Sequence, residues 1–258
     1  MKEILISDFL IVLFIFIRII SMIGVAPVLS HESVPPIVKI SIGIVVSYIT
    51  FLTIDKSKIT LDINLIPIAI NVVKEILTGF VIGYMLNFVF YAISYSGTLI
   101  GYDMGLMMAE TLNPMLNTND NVLGQAIYYS AIMVFILING HLHIISAIVA
   151  SFNVIPIGKF TMTQQVTSLL IKYSFSVFTI AVKIASPIIV SFFLVHIAEG
   201  IIARVIPNIQ IIHVTQPAKL GLGFIFLSIL APIYIYAIKA MLNTSEDQLM
   251  ELIKTMGV

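Results

Sequence analysis

Six long apolar stretches occupy most of this 258-residue chain: residues 9–29, 38–54, 65–96, 122–155, 169–205 and 209–242. A helix needs about 20 mainly apolar residues to cross a bilayer, so these are candidate spans. Several are too long for one simple span, and several are cut. Pro187 falls inside the fifth, and Pro217, Gly221, Gly223 and Pro232 fall inside the last. Broken helices at membrane depth are tolerated only where protein or a cavity satisfies the freed backbone groups. The pattern predicts an all-α membrane protein of interrupted, Gly- and Pro-kinked helical hairpins. Their faces are expected to be buried against neighbouring helices, other subunits included, rather than bathed in lipid.

Composition supports this and excludes other classes. The hydrophobic residues make up 59% of the chain and the charged ones 10%, against about 45–50% and about 25% in soluble domains. Too few charges remain to cover a water-facing surface, which excludes an ordinary cytosolic enzyme. With 13 basic and 13 acidic residues there is no basic field to hold nucleic acid. The lack of cysteine excludes disulfides, thiol nucleophiles and Cys-ligated metal. Arg18 interrupts the first apolar stretch, and no convincing cleavage site follows near Gly24 and Pro27, so that stretch reads as a retained helix rather than a signal peptide. Lys and Arg are scattered singly, which leaves membrane orientation undetermined.

Seven charges fall within the apolar stretches: Arg18, Lys74, Glu75, Lys172, Lys183, Glu199 and Arg204. Such residues are costly in hydrocarbon and face partners or water. Lys172 and Arg204 lie near segment ends and can snorkel. For the others an ion relay is one reading. Pairing between helices or subunits is the better one, because no paired acidic site occurs.

Glycines recur four apart, as Gly79 and Gly83, and again as Gly97, Gly101 and Gly105. Residues four apart share a helix face, so these rows let another backbone approach closely. Tyr84, Phe88, Tyr91, Tyr95 and Tyr102 share a face too and read as an aromatic packing seam. Met104, Met107, Met108 and Met115 gather around Gly105 and Pro114. A Met-rich segment is an adaptable apolar surface. Composition alone makes it an ordinary connector, with a deformable stopper as the sharper alternative.

No catalytic motif is found. His141 and His143 are two apart and point to different helix faces, so they do not form a helical metal pair. No H-E-x-x-H, P-loop or G-x-S-x-G sequence occurs. The expectation is a non-enzyme without cofactor or metal.

In order and spacing, the chain resembles the FliR family, called SctT in injectisomes. The resemblance runs from Arg18–Gly24, Ala26-Pro27 and Val34-Pro35 through Glu75–Gly79, Gly83, Gly97, Gly101, Gly105 and Pro114. It continues through Gly140-His141, Ser151-Phe152 and Pro156 to Glu199–Pro207, Pro217, Lys219, Gly221 and Gly223. Departures are the exchanged amides Asn208 and Gln210, Glu199 where an apolar residue is common, and the unusually polar His213 and Gln216.

The resemblance implies a structural pore and gate subunit of the type III export gate, in a flagellum by preference and in an injectisome as the alternative. It implies a helical pore complex with FliP- and FliQ-type subunits, joined by FlhB- and FlhA-type proteins, in the bacterial inner membrane at the flagellar basal body. Unfolded exported proteins would be its cargo. Residues 1–165 would correspond to a FliP-like part, 166–242 to a FliQ-like hairpin and 243–258 to a polar tail. A plug loop would fall at about 105–122, with Met104, Gly105, Met107, Met108, Pro114 and Met115 as gate residues. Arg18, Glu75, Lys183, Glu199 and Arg204 would pair within or between subunits, and Gly79, Gly83, Gly97 and Gly101 would pack helices. A third reading, without the resemblance, is an ion-coupled secondary transporter. It would use the buried charges and broken helices for an ion site, but no internal inverted symmetry is seen.

Overall fold

The computed structural model describes residues 2–55, 59, 64–106, 121–206 and 211–257. Among these residues the chain is all-α, with seven helices. They are α1 (Lys2–Ile23), α2 (Pro36–Thr53), α3 (Leu65–Met104), α4 (Val122–Leu137), α5 (Gly140–Val154), α6 (Gln164–Val205) and α7 (Ile211–Met256). Five of them are long and apolar enough to cross a membrane, and α4 with α5 forms a sixth, broken candidate bent by 71°.

Local chemistry sets the helix ends. Pro36 opens α2 at the first turn, where its missing N–H costs nothing. Asn121 caps α4, its side chain accepting from the amides of Leu123 and Gly124. The bend between α4 and α5 falls at Asn139, which is left-handed at φ 61. Asparagine is among the few residues that visit this region readily.

The prolines lie within helices rather than at their ends. α6 runs through Pro187, and α7 runs through Pro217 and Pro232. At Pro187 the reason is visible. A proline leaves the carbonyl four residues earlier without its amide, here that of Lys183. The Ser186 hydroxyl donates to that carbonyl at 3.0 Å and takes the missing amide's place.

The chain divides into two compact units. The first comprises Met1–Phe88, Asn139–Ser174 and Leu242–Val258, and the second Val89–Ile138 and Phe175–Met241. In the first unit, Phe14, Ile15, Ile19 and Met22 of α1 are buried with Ile82 and Met85 of α3. The segment that reads as a polar tail is helix up to Met256, and Leu249, Leu252, Ile253 and Met256 are buried. Its polar side chains dock as well: Glu246 meets His143 at 2.7 Å, and Glu251 accepts from the Tyr173 hydroxyl at 2.7 Å. Polarity in this segment marks an amphipathic helix rather than a solvated tail.

The second unit has its own core. Ile100, Met104, Leu123, Ala185, Ile188 and Phe192 form the buried cluster, with Leu106, Phe226, Leu230 and Tyr234 packed against it.

Candidate functional site

The first unit is built around one charge pair. Arg18 of α1 and Glu75 of α3 form a bidentate contact, Nε to Oε2 at 2.6 Å and Nη2 to Oε1 at 3.1 Å. Their side chains are 1% and 0% exposed. The remaining Arg18 nitrogen donates to Ser151 Oγ at 3.3 Å and to the Ile155 carbonyl at 3.1 Å. The Phe152 ring lies 4.1 Å from the guanidinium carbon, which adds a cation–π contact. Glu75 Oε1 also accepts from the Gly158 amide at 2.8 Å, and the neighbouring Lys74 donates to the Gly158 carbonyl at 3.0 Å. Consecutive side chains of α3 thus hold the amide and the carbonyl of one residue, Gly158, in the turn after α5. Gly158 holds φ 74 there, and a Cβ would lie 2.6 Å from Asn71 Oδ1, so only glycine fits.

Above the pair, α1 and α3 close into a seam with a four-residue repeat. A Cβ on Gly79 would run into the Arg18 carbonyl, and one on Gly83 would come 2.8 Å from the Met22 carbonyl. Ser21 donates to the Ile76 carbonyl at 2.7 Å, and the Asn87 amide donates to the Val25 carbonyl. Glu75, Gly79, Gly83 and Asn87 therefore form one continuous face. Asn87 and Gly158 were missed from sequence, and Ser151 was noted there without its contact to Arg18. Asn87 was accessible to the same four-residue count that found the glycines.

The second unit holds the other expected residues. The second glycine row packs α3 on the start of α4: a Cβ on Gly97 would lie 2.7 Å from the Gly124 Cα, and one on Gly101 would lie 2.6 Å from Asn121 Nδ2. α3 continues through this row to Met104, eight residues past the expected boundary. Met104, read from sequence as part of a Met-rich loop, is the last residue of the helix and is fully buried. Gly223 of α7 makes room for it, since a Cβ there would sit 2.5 Å from Met104 Cε. The helix ends at Met104 because the next residue, Gly105, turns left-handed, at φ 78.

Gln216 of α7 meets this helix end. Its amide nitrogen donates to the Gly105 carbonyl at 2.8 Å and approaches the Met104 carbonyl at 3.5 Å. Three residues on, Lys219 contacts Glu199 of α6 at 2.7 Å. His196 Nδ1 lies 3.2 Å from the same carboxylate oxygen and 3.3 Å from the Lys219 ammonium. Glu199 thus has its partner inside the chain. Lys183 and Arg204 are exposed and form no salt bridge among the described residues.

Met107, Met108, Pro114 and Met115 lie outside the described residues, as do Pro207 to Gln210. The aromatic row is more open than a packing seam: Tyr84, Tyr91, Tyr95 and Tyr102 are exposed, and Phe88 alone is buried.

Residues 9–245 match the bacterial export proteins, family 1. The chain belongs to that family. Relatives in it are named flagellar biosynthetic protein FliR. That of Bacillus subtilis (strain 168) is 27% identical over 250 residues, 95% of each chain. That of Escherichia coli (strain K12) is 29% identical over 222 residues, 84% of this chain and 82% of its own. That of Pectobacterium carotovorum is 29% identical over 223 residues, 84% and 83% of the two chains. The family match contains the buried pair, both glycine rows and the Gln216 contact.

Proposed function

We propose that this chain is a structural pore and gate subunit of the flagellar type III protein export apparatus. In this reading it lies in the bacterial inner membrane at the flagellar basal body. It assembles there with FliP- and FliQ-type subunits, and with FlhB- and FlhA-type proteins, around a channel for unfolded flagellar proteins. Residues 1–165 act as the FliP-like part and 166–242 as the FliQ-like part.

The observation that carries the reading is the way the second unit fixes the described residues on either side of 107–120. On one side Met104 is buried beneath Gly223 and the Gly105 carbonyl is held by Gln216. On the other, Asn121 caps α4 while its amide group rests against Gly101. A connector need not be tethered this way, whereas a plug must return to one position after each displacement. Met107, Met108 and Met115 supply a polarizable, yielding apolar seal, with Met104 at its root.

The test is deletion of residues 107–116, which leaves both anchors. In vesicles holding the assembled complex, ion leak rises while FliP- and FliQ-type partners still co-purify. Unchanged leak with assembly intact sinks the plug assignment. A chain that purifies without partners and moves a solute alone sinks the export reading in favour of a transporter.

A further inference from the structure

We propose that Gln216 is a positioning residue that latches the end of α3 and so sets where the chain leaves that helix. The carbonyls of the last helical turn have no partner within the helix. Gln216 meets this end from outside: its amide donates at 2.8 Å to the carbonyl of Gly105, the residue after the helix, and lies 3.5 Å from that of Met104, the last helical residue. Gly105 is shaped for this contact, because a Cβ on it would occupy the place of the Gln216 amide. The donor is itself fixed. Lys219, three residues further along α7, is tied to Glu199 of α6 at 2.7 Å. Gly223, one more turn on, receives the Met104 side chain. Gln216, Lys219 and Gly223 recur at helical spacing and so present one face of α7 to the end of α3 and to α6. Gln216 and Glu199 are linked through Lys219 on one face of α7. They belong to one device, in which the ion pair holds α7 against α6 and the amide carries that restraint to α3.

The consequence for the pore rests on the function proposed above: a loosened latch frees the end of α3 at Gly105 and Leu106. Two readouts separate the claims. The chain has no cysteine, so Leu106→Cys, at a residue packed on the second core, reports the latch by its rate of maleimide labelling in the full-length protein. Ion leak of the assembled complex in vesicles reports the pore. Gln216→Glu keeps the shape and turns the donor into an acceptor, Gln216→Leu removes the donor without adding charge, and Gln216→Lys restores a donor.

Labelling should rise about tenfold in Gln216→Glu and Gln216→Leu, on the order of what one lost hydrogen bond does to an opening equilibrium. It should stay near the parent rate in Gln216→Lys, with partner co-purification unchanged throughout. Unchanged labelling in Gln216→Glu and Gln216→Leu overturns the latch, whatever the leak does. Equal increases in all three variants also overturn it, since then volume rather than donation matters. Raised labelling with unchanged leak keeps the latch and overturns the plug reading.

Discussion

Arg18–Glu75 and Glu199–Lys219 have nearly the same contact distance, 2.6 and 2.7 Å, in very different surroundings. The first pair is sealed, at 1% and 0% exposure, and its remaining hydrogen-bonding capacity is spent on Ser151, Ile155 and Gly158. The second keeps 12% and 16% exposure and shares its carboxylate oxygen with a histidine. Desolvating two charges is expensive and is offset only when geometry and extra hydrogen bonds are good. The Arg18 knot meets that condition and joins α1, α3, α5 and the following turn rigidly. The Glu199 cluster is a looser restraint on two helices.

The largest effect should come from breaking the sealed pair. Glu75→Leu or Arg18→Met alone leaves an uncompensated buried charge, at a cost of about 3–5 kcal/mol. The double variant replaces both charges by apolar side chains and should recover much of the loss. Thermal unfolding in detergent checks this, and a double variant as unstable as the worse single one breaks the argument.

Next comes the seam beside the pair. Gly79→Ala drives a methyl group into the Arg18 carbonyl, and overpacking of this kind costs about 1–3 kcal/mol. Gly221→Ala is the internal contrast, because nothing lies within 4 Å of its Cβ position. There alanine's better helix propensity should gain up to about 1 kcal/mol. If both glycines respond alike in the same unfolding measurement, close packing is not what the first row is for.

The smallest effect belongs to the second pair. Glu199→Gln should change stability by no more than about 1 kcal/mol, as for other partly exposed ion pairs. A loss as large as that of Glu75→Leu would erase the distinction between the two regions.

Much of this was legible in the sequence, though unevenly. Arg18 and Glu75 stood out as charges that an apolar stretch cannot hold unpaired, and the glycine rows announced close packing by their spacing. Glu199 was equally conspicuous, yet its partner Lys219 was invisible as such. Nothing local distinguishes a lysine that meets a carboxylate from one that snorkels. The end of α3 was misplaced because residues 97–104 carry Gly, Thr, Tyr and Asp, which look like a loop until Gly124 and Asn121 are seen filling the space the glycines leave. Residues 243–256 read as a tail because their polar and charged residues together outnumber their apolar ones in a linear count.

The sequence by itself determined the class: apolar length, residue period and glycine spacing are properties of neighbours along the chain, and they dictate helices that avoid water and pack closely. Only the tertiary structure decided who meets whom. Arg18 finds Glu75 57 positions away and Ile155 137 positions away, and Gln216 reaches Gly105 across 111. Contacts at such separations are selected by the mutual fit of whole helices, because a buried charge or carbonyl accepts any correctly placed donor. Placement is a property of the packed molecule rather than of any segment of it.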